Sequence, residues 1–247
     1  APGIGGRQPF LASTQTQFRP VDVKFGPDGA LYLTDWSNPI IGHYQTSFRH
    51  PDRDKTHGRI WRITAIGREA VKQPAALVAN PPSIPALLEL LKSSDRFTRL
   101  QARRQLSAAE TPTVVAALKQ WVATLSPADP GFEHHLFEAL GIAEDHESVD
   151  AALLDRVASA KEARARAWAA QTIGRWADRL PDPLARLQSR LRDSDSRVRL
   201  AAVVSCGTIL RPESLTAALQ ALDESTDGTV AASDRFLDYA LRQAVFV

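Results

Sequence analysis

The feature that most constrains the fold is a pair of helical segments that repeats from Ser83 to the end of the sequence at Val247. Within each segment, apolar residues recur every three or four positions, which is the period of a helix with one buried face. Five such pairs follow one another, each about 30–38 residues long. Self-similarity at this period indicates a helical solenoid, in which each pair buries its apolar face against the next.

The second segment of each pair carries the sharper pattern. "DRFTRLQARRQL" and "DSDSRVRLAAVVSCG" share an aspartate, then an apolar residue, then Arg–Leu and a small residue. Asp95 and Asp193 are the predicted N-caps, because an aspartate there accepts hydrogen bonds from the first turn. Large apolar residues on the predicted inner faces should form the core: Trp121, Leu140, Ile173, Leu191, Val203, Leu222 and Leu241.

The first third of the chain has a different period. In residues 18–34, Val21, Val23 and Phe25 alternate with polar residues, "GPDG" is typical of a tight turn, and "ALYLT" returns as a second strand. "GRIWRIT" (58–64) alternates again. The sequence therefore predicts a mainly α fold: residues 1–66 form a small antiparallel sheet, 67–82 a linker, and 83–247 about five helix pairs.

A long loop, residues 36–57, connects the second and third predicted strands and is rich in metal-ligand side chains. Four interpretations remain open, and three of them are chemical: a metal site built on histidines with nearby carboxylates, a calcium site using oxygen ligands, or an acid/base pair. The fourth is structural, in which polar residues pin the loop to its own backbone over packed aromatics such as Trp36. The candidate residues are Asp35, Asn38, His43, His50, Asp52, Asp54, His57 and Arg59.

Polar residues inside the predicted helices receive structural interpretations. His134 and His135 are adjacent and point about 100° apart on a helix, so they do not clamp one ion. Cys206, the only cysteine, is expected to fill a small core position. The arginines of one segment are interpreted as a solvated face that pairs with nearby acids, with anion binding as the alternative: Arg96, Arg99, Arg103 and Arg104.

Composition excludes several function classes. A net charge of +2 gives no indication of a nucleic-acid partner. The sequence contains no run of about 18 apolar residues, so it predicts no membrane-spanning helix. One thiol cannot form an internal disulfide. "APGIGG" lacks the context of a phosphate loop, and the chain contains neither methionine nor a recognisable signal peptide. We expect the chain to be part of a longer polypeptide.

Two resemblances extend these interpretations. "DSDSRVRLAAV" resembles the consensus of HEAT-type repeats. The order "FRPVDVKFGPDGALYLTDW", histidine-bearing loop, "HGRIWRIT" and helical repeats resembles large secreted proteins of planctomycete and verrucomicrobial type. Those proteins join a β-propeller similar to glucose/sorbosone dehydrogenases to a HEAT-like region and a c-type haem domain. This chain would correspond to the last propeller blade plus the HEAT-like region.

The second resemblance implies a parent protein that oxidises a sugar or an alcohol, is periplasmic or secreted, and uses pyrroloquinoline quinone, calcium and c-type haem. The chain departs from the family because it holds at most one blade and no C-x-x-C-H motif. We therefore predict no catalytic and no cofactor-binding residues within it. Its expected partners are the rest of its own propeller and a haem domain. The alternative is a stand-alone HEAT-repeat module that binds another protein on its solenoid surface.

Overall fold

The computed structural model describes residues 10–40, 42, 47, 49–81, 83–222 and 234–244. The chain divides into two units, Ala1–Ala75 and Ala76–Val247. The first contains a three-stranded sheet and the second a series of helices. This arrangement confirms the predicted fold class, a HEAT-like helical array preceded by a small antiparallel sheet.

The sheet consists of β1 (Pro20–Phe25), β2 (Leu31–Asp35) and β3 (Arg59–Ile63), antiparallel and in the order β1-β2-β3. The predicted turn joins β1 to β2: Gly26 N donates to Ala30 O at 2.8 Å, and Gly29 has the positive φ of 74° that glycine adopts without strain. The register brings apolar residues of all three strands to one face, in the rows Phe25–Leu31–Ile63 and Val23–Leu33–Trp61.

Eleven α-helices lie in the described part of the chain, and they are α1 (Ala75–Val78), α2 (Ile84–Leu90), α3 (Arg96–Ser107), α4 (Thr111–Thr124), α5 (Phe132–Asp145), α6 (Ala151–Ala158), α7 (Ala163–Arg175), α8 (Pro183–Leu191), α9 (Ser196–Thr208), α10 (Glu213–Leu219) and α11 (Arg235–Ala244). A 3₁₀ turn, Gln220–Leu222, follows α10. From α2 onward the helices form the five predicted pairs. Between residues 100 and 240, the described ranges contain no strand.

One continuous apolar core runs through the helical unit. Six predicted core residues are buried: Trp121, Leu140, Ile173, Leu191, Val203 and Leu241. The side chain of Leu222 falls outside the described part. Neighbouring second helices approach through small buried residues such as Ala102, Ala169, Ala170 and Ala202. Among the helices that the structure describes, none has both the length and the apolar character to cross a bilayer.

The N-cap prediction is right for one helix and wrong for the other. Asp95 caps α3 by accepting hydrogen bonds from Phe97 N (3.2 Å) and Thr98 N (2.7 Å). At α9 the cap is Asp195, which accepts from Arg197 N at 2.9 Å, and not Asp193. Asp193 instead pairs with Arg166 of α7, with contacts of 2.6 and 2.7 Å. A contact with the preceding repeat therefore decides between the two aspartates of "DSDS".

Candidate functional site

Asp35, the first of the predicted site residues, ends β2 and is fully buried. Its Oδ1 accepts hydrogen bonds from Arg19 N and Ser37 N, both at 2.8 Å, and its Oδ2 accepts one from Trp61 Nε1 at 2.9 Å. Arg59 Nε lies 3.0 Å from Oδ2 and supplies the neutralising charge. The carboxylate thus joins β3 and the segments that flank β1 and β2.

The electrostatics of Asp35 fit this structural role. Burial alone would raise the pKa of Asp35, but the hydrogen bonds from Arg19, Trp61 and Ser37 and the charge of Arg59 outweigh burial and lower it. The carboxylate is therefore kept ionised by donors that already occupy its oxygens, so it is a poor candidate for a general base.

The remaining loop candidates divide into pinned and exposed groups. Asn38 donates from Nδ2 to Asp54 O at 3.1 Å and accepts from Ile40 N at 3.1 Å, so both of its amide atoms bind the loop backbone. Asp54 accepts hydrogen bonds from Thr56 N and His57 N, each at 3.0 Å. Together with the contact to His57 Nδ1, these hydrogen bonds lower the pKa of Asp54 to about 2. Asp52 is exposed. His43 lies outside the described residues.

The histidines of the loop do not converge in the part of it that the structure describes. His50 Nδ1 lies 3.3 Å from Asp52 N, while His57 contacts Asp54. No group of three or more His, Cys, Asp or Glu side chains that could hold a metal ion occurs among the described residues. Trp36, expected to pack beneath the loop, is half exposed.

Two of the groups that the resemblance implies, calcium and covalently attached haem, do not fit the side chains that would have to hold them in this chain. The oxygens of Asp35 and Asn38 accept hydrogen bonds from N–H groups, and Asp35 also faces Arg59, so neither presents a free ligand atom to calcium. Cys206 is buried, and burial raises the pKa of its thiol to about 11. A buried neutral thiol fits the predicted core role and does not fit covalent attachment of haem.

The helical unit contains a repeated polar contact at the start of its second helices. Arg99, Arg166 and Arg199 stand four residues after the N-caps of α3, α7 and α9. Each guanidinium donates to two carbonyl oxygens of the turn that precedes its helix, at distances between 2.7 and 3.1 Å. These guanidinium groups satisfy carbonyl oxygens of partly exposed turns. Arg99 is partly buried and is not part of the solvated face that the sequence predicted, but it does pair with an acid, Glu138, as expected.

A second polar network joins α3, α5 and α7. Helix α5 is acidic and lies between two arginine-rich helices. Its buried Glu138 faces α3, with Oε1 3.3 Å from Arg99 Nε and Oε2 3.8 Å from Arg103 Nη1. Its Glu144 faces α7 and accepts hydrogen bonds from Thr172 Oγ1 (2.8 Å) and Trp168 Nε1 (2.6 Å), as well as from Arg175. Opposite charges therefore meet at both contacts of α5, with α3 and with α7.

Aromatic and aliphatic residues remain on the outer face of the second helices. In α3, α9 and α11, the residue five positions after the N-cap aspartate is apolar and exposed or half-buried: Leu100, Leu200 and Tyr239. Val204 and Phe236 lie on the same face, because residues three or four apart are neighbours on a helix. In α5 and α7, Phe137 and Trp168 contact edge to face, with ring centroids 5.7 Å apart.

We call this set the second-helix stripe. The helices that carry it, α3, α5, α7, α9 and α11, pack side by side in that order. Leu200, Val204, Phe236 and Tyr239 also line a shallow apolar groove between α9 and α11. The set has members on the second helix of every pair: Leu100, Phe137, Trp168, Leu200, Val204, Phe236 and Tyr239.

The sequence analysis missed the stripe because it placed these residues in helices without predicting on which side of each helix they lie. One signal was present: "ARARAWAAQ" in α7 places a single tryptophan among arginines and alanines. The alanines supply the buried face, so the tryptophan is left near the polar side. Counting residues from each N-cap, to find which positions lie on the exposed side of the helix, would have identified Leu100 and Tyr239.

Known families match two separate parts of the chain. Residues 150–233 match the family of HEAT repeats. Residues 5–66 match a domain of unknown function, DUF7133. No curated protein and no solved structure matches the chain. HEAT repeats indicate a protein-interaction or scaffold role, and the match covers the helix pairs that carry Trp168, Leu200 and Val204.

Proposed function

We propose that the chain is a non-catalytic scaffold and interaction region whose helical unit binds a protein partner through the second-helix stripe. The observation that carries the proposal is the exposure of large apolar side chains on the second helices of successive pairs. Scattered apolar residues on a surface are ordinary, but apolar side chains that meet across neighbouring helices, as at Phe137–Trp168 and in the groove between α9 and α11, are typical of an interaction site. The aromatic members Trp168, Phe236 and Tyr239 are of the kind that dominates binding energy in such sites.

The polar groups beside the stripe support the same function. Arg175 stacks on Trp168, with its guanidinium carbon 5.2 Å from the ring centroid, and also pairs with Glu144. This arrangement holds the indole ring in one orientation before any partner arrives. A preorganised aromatic side chain loses little conformational freedom on binding, which favours affinity.

The partner we propose is the rest of the same parent protein, namely its propeller and its haem domain. Two points support this: the resemblance of the chain to propeller–HEAT–cytochrome proteins, and a sheet whose apolar residues Val21, Phe25 and Ile60 are largely exposed. A small sheet with exposed apolar residues gains stability by packing against further structure, which the other blades of a propeller would supply. On this proposal, the parent is an exported oxidoreductase for a sugar or an alcohol, and its catalytic residues and cofactors lie outside this chain.

Site-specific photo-crosslinking tests the proposal. A photoreactive phenylalanine analogue replaces Leu100 or Val204 on the stripe, and Lys119 or Gln188 on the exposed surface of first helices as matched controls. We expect crosslinks from the stripe positions in the intact protein. The component that is crosslinked, once purified, should bind the chain again. Equal yields from the control positions would contradict a dedicated binding face.

The identity of the crosslinked component separates the two forms of the proposal. A crosslink within one polypeptide, to a β-propeller or haem segment, supports the scaffold role in a larger oxidoreductase. A crosslink to a different polypeptide supports the stand-alone protein-binding module.

A further inference from the structure

A hollow of about 300 Å³ lies between α5 and α7, at the end where both helices begin. Its volume is at the lower limit for ligand pockets, so it suits one side chain better than a whole cofactor. It borders the second-helix stripe through Phe137. The residues that line it are Glu133, His134, Phe137, Glu162, Arg164 and Ala165.

The floor of the hollow is apolar and held in place. Phe137 contacts Trp168 edge to face and stacks on His134 with ring centroids 6.4 Å apart. Ala165 is buried beneath. An aromatic face of this kind attracts a cation placed over it, and it also packs against the aliphatic stem of a long basic side chain.

The rim of the hollow carries two carboxylates in fixed positions. Glu133 accepts hydrogen bonds from Lys161 N at 3.0 and 3.1 Å, and Glu162 accepts one from Arg164 N at 3.2 Å. Each carboxylate has about four lone-pair sites, so both keep acceptor capacity after these contacts. Against these two negative charges stands one lining guanidinium, that of Arg164.

We propose that this hollow receives a lysine or arginine side chain of the partner that binds the second-helix stripe. The stem would lie on Phe137 and the charged head would reach Glu133 and Glu162. The inference rests on the proposed function and names the partner chemistry that the function leaves open. An acidic partner side chain that pairs with Arg164 is the competing outcome.

Titration of the 247-residue chain with N-acetyl-arginine methylamide, followed by two-dimensional amide NMR, tests the assignment. We expect saturable shifts confined to the first turns of α5 and α7 and to the Trp168 indole. In the double variant Glu133→Gln/Glu162→Gln, apparent affinity should fall roughly fivefold, the factor set by one exposed ion pair. The matched control Glu110→Gln/Glu213→Gln changes two exposed glutamates on or beside first helices and should leave affinity unchanged.

Other outcomes overturn the assignment. Equal shifts with N-acetyl-glutamate methylamide that disappear in Arg164→Gln would assign an acidic partner instead. Should the double variant melt at a lower temperature, Phe137→Leu provides the second test, because it keeps the apolar floor and removes the aromatic face. Unchanged affinity in Phe137→Leu, or shifts spread over the whole chain, would contradict the proposal. Stripe-specific crosslinking without this binding would overturn the hollow alone, whereas a loss of both would overturn the proposed function as well.

Discussion

The two units of the chain use apolar residues in opposite ways. In the sheet unit, Val21, Phe25 and Ile60 are 71–74% exposed, and the polar residue Asp35 is the buried centre. In the helical unit, large residues such as Leu87, Leu140 and Leu187 are fully buried, and polar side chains occupy the turns and helix edges. A three-stranded sheet has too little surface to cover both of its own faces, whereas each helix pair is covered by its neighbours.

The two units therefore depend on different contacts for their stability. The sheet unit depends on one buried carboxylate and its donors, so a single substitution should disrupt it. The helical unit distributes its stability over many equivalent contacts, which include the core and the arginines that bind turn carbonyls.

Asp35→Ala should have the largest effect. It removes the charge partner of Arg59 and leaves the donors Arg19 N, Ser37 N and Trp61 Nε1 without an acceptor. Removing a buried charge from its partner in this way costs about 3–5 kcal/mol, which should abolish amide protection in β1, β2 and β3. Hydrogen exchange measures the loss, and protection of α5 and α7 serves as the internal control. Sheet amides that remain protected would show that Asp35 is not the centre of the unit.

Leu140→Ala tests the core of the helical unit. Leu140 is fully buried, and the substitution should lower the free energy of unfolding by about 2–5 kcal/mol because it leaves a cavity. Val204→Ala on the stripe is the matched control and should change it by less than about 0.5 kcal/mol, since Val204 is half exposed. Urea denaturation followed by circular dichroism provides both numbers. Similar losses for the two variants would mean that the stripe belongs to the core.

Arg199→Gln tests the repeated contact with the turn carbonyls. Its guanidinium donates to Asp193 O at 2.7 Å and Ser194 O at 3.1 Å, and loss of these charge-assisted hydrogen bonds should cost about 1.5–3 kcal/mol. Arg104→Gln, an exposed arginine of α3, is the control and should be close to neutral. The same urea experiment applies. A neutral Arg199→Gln would show that water replaces the guanidinium in the turn.

The smallest effect concerns pH. The Arg197 guanidinium, together with its backbone N–H, lowers the pKa of Asp195 to about 2, from an ordinary value near 4. A depressed folded-state pKa contributes stability that is complete above about pH 4 and is lost as the pH falls toward 2. Asp195→Asn keeps an acceptor for the first turn of α9 but loses the charge, so it should lower the melting temperature slightly above pH 4 and flatten its decline between pH 4 and 2. An identical decline in both proteins would exclude this contribution.

Periodicity in the sequence was sufficient to predict both architectures. The alternation around Val23 and Trp61 predicts strands, and the helical spacing around Leu140 and Ile173 predicts buried faces, because both patterns depend only on local geometry. The choice between Asp193 and Asp195 as N-cap could not be made locally. It depends on Arg166, which is 27 residues away in sequence from Asp193.

The loop between β2 and β3 shows the same limit for the site. Residue type alone made Asp35, Asn38 and Asp54 equal candidates for ligand, base or structural contact. Only the arrangement in space shows that backbone N–H groups of the loop and of Arg19, the residue before β1, bind their oxygens. The stripe escaped prediction for a related reason, since exposure of Trp168 and Tyr239 depends on which helix packs beside them.

Native-state hydrogen exchange of the whole chain measures the central contrast most directly. We predict slow amide exchange in α5, α7 and α9, with opening free energies that approach the free energy of global unfolding. We predict faster exchange in β1 and β3, which form the two edges of the described sheet and carry exposed apolar residues such as Phe25 and Ile60. Strands protected as strongly as α7 in the isolated chain would contradict the claim that the helical unit is complete in itself while the sheet requires a partner.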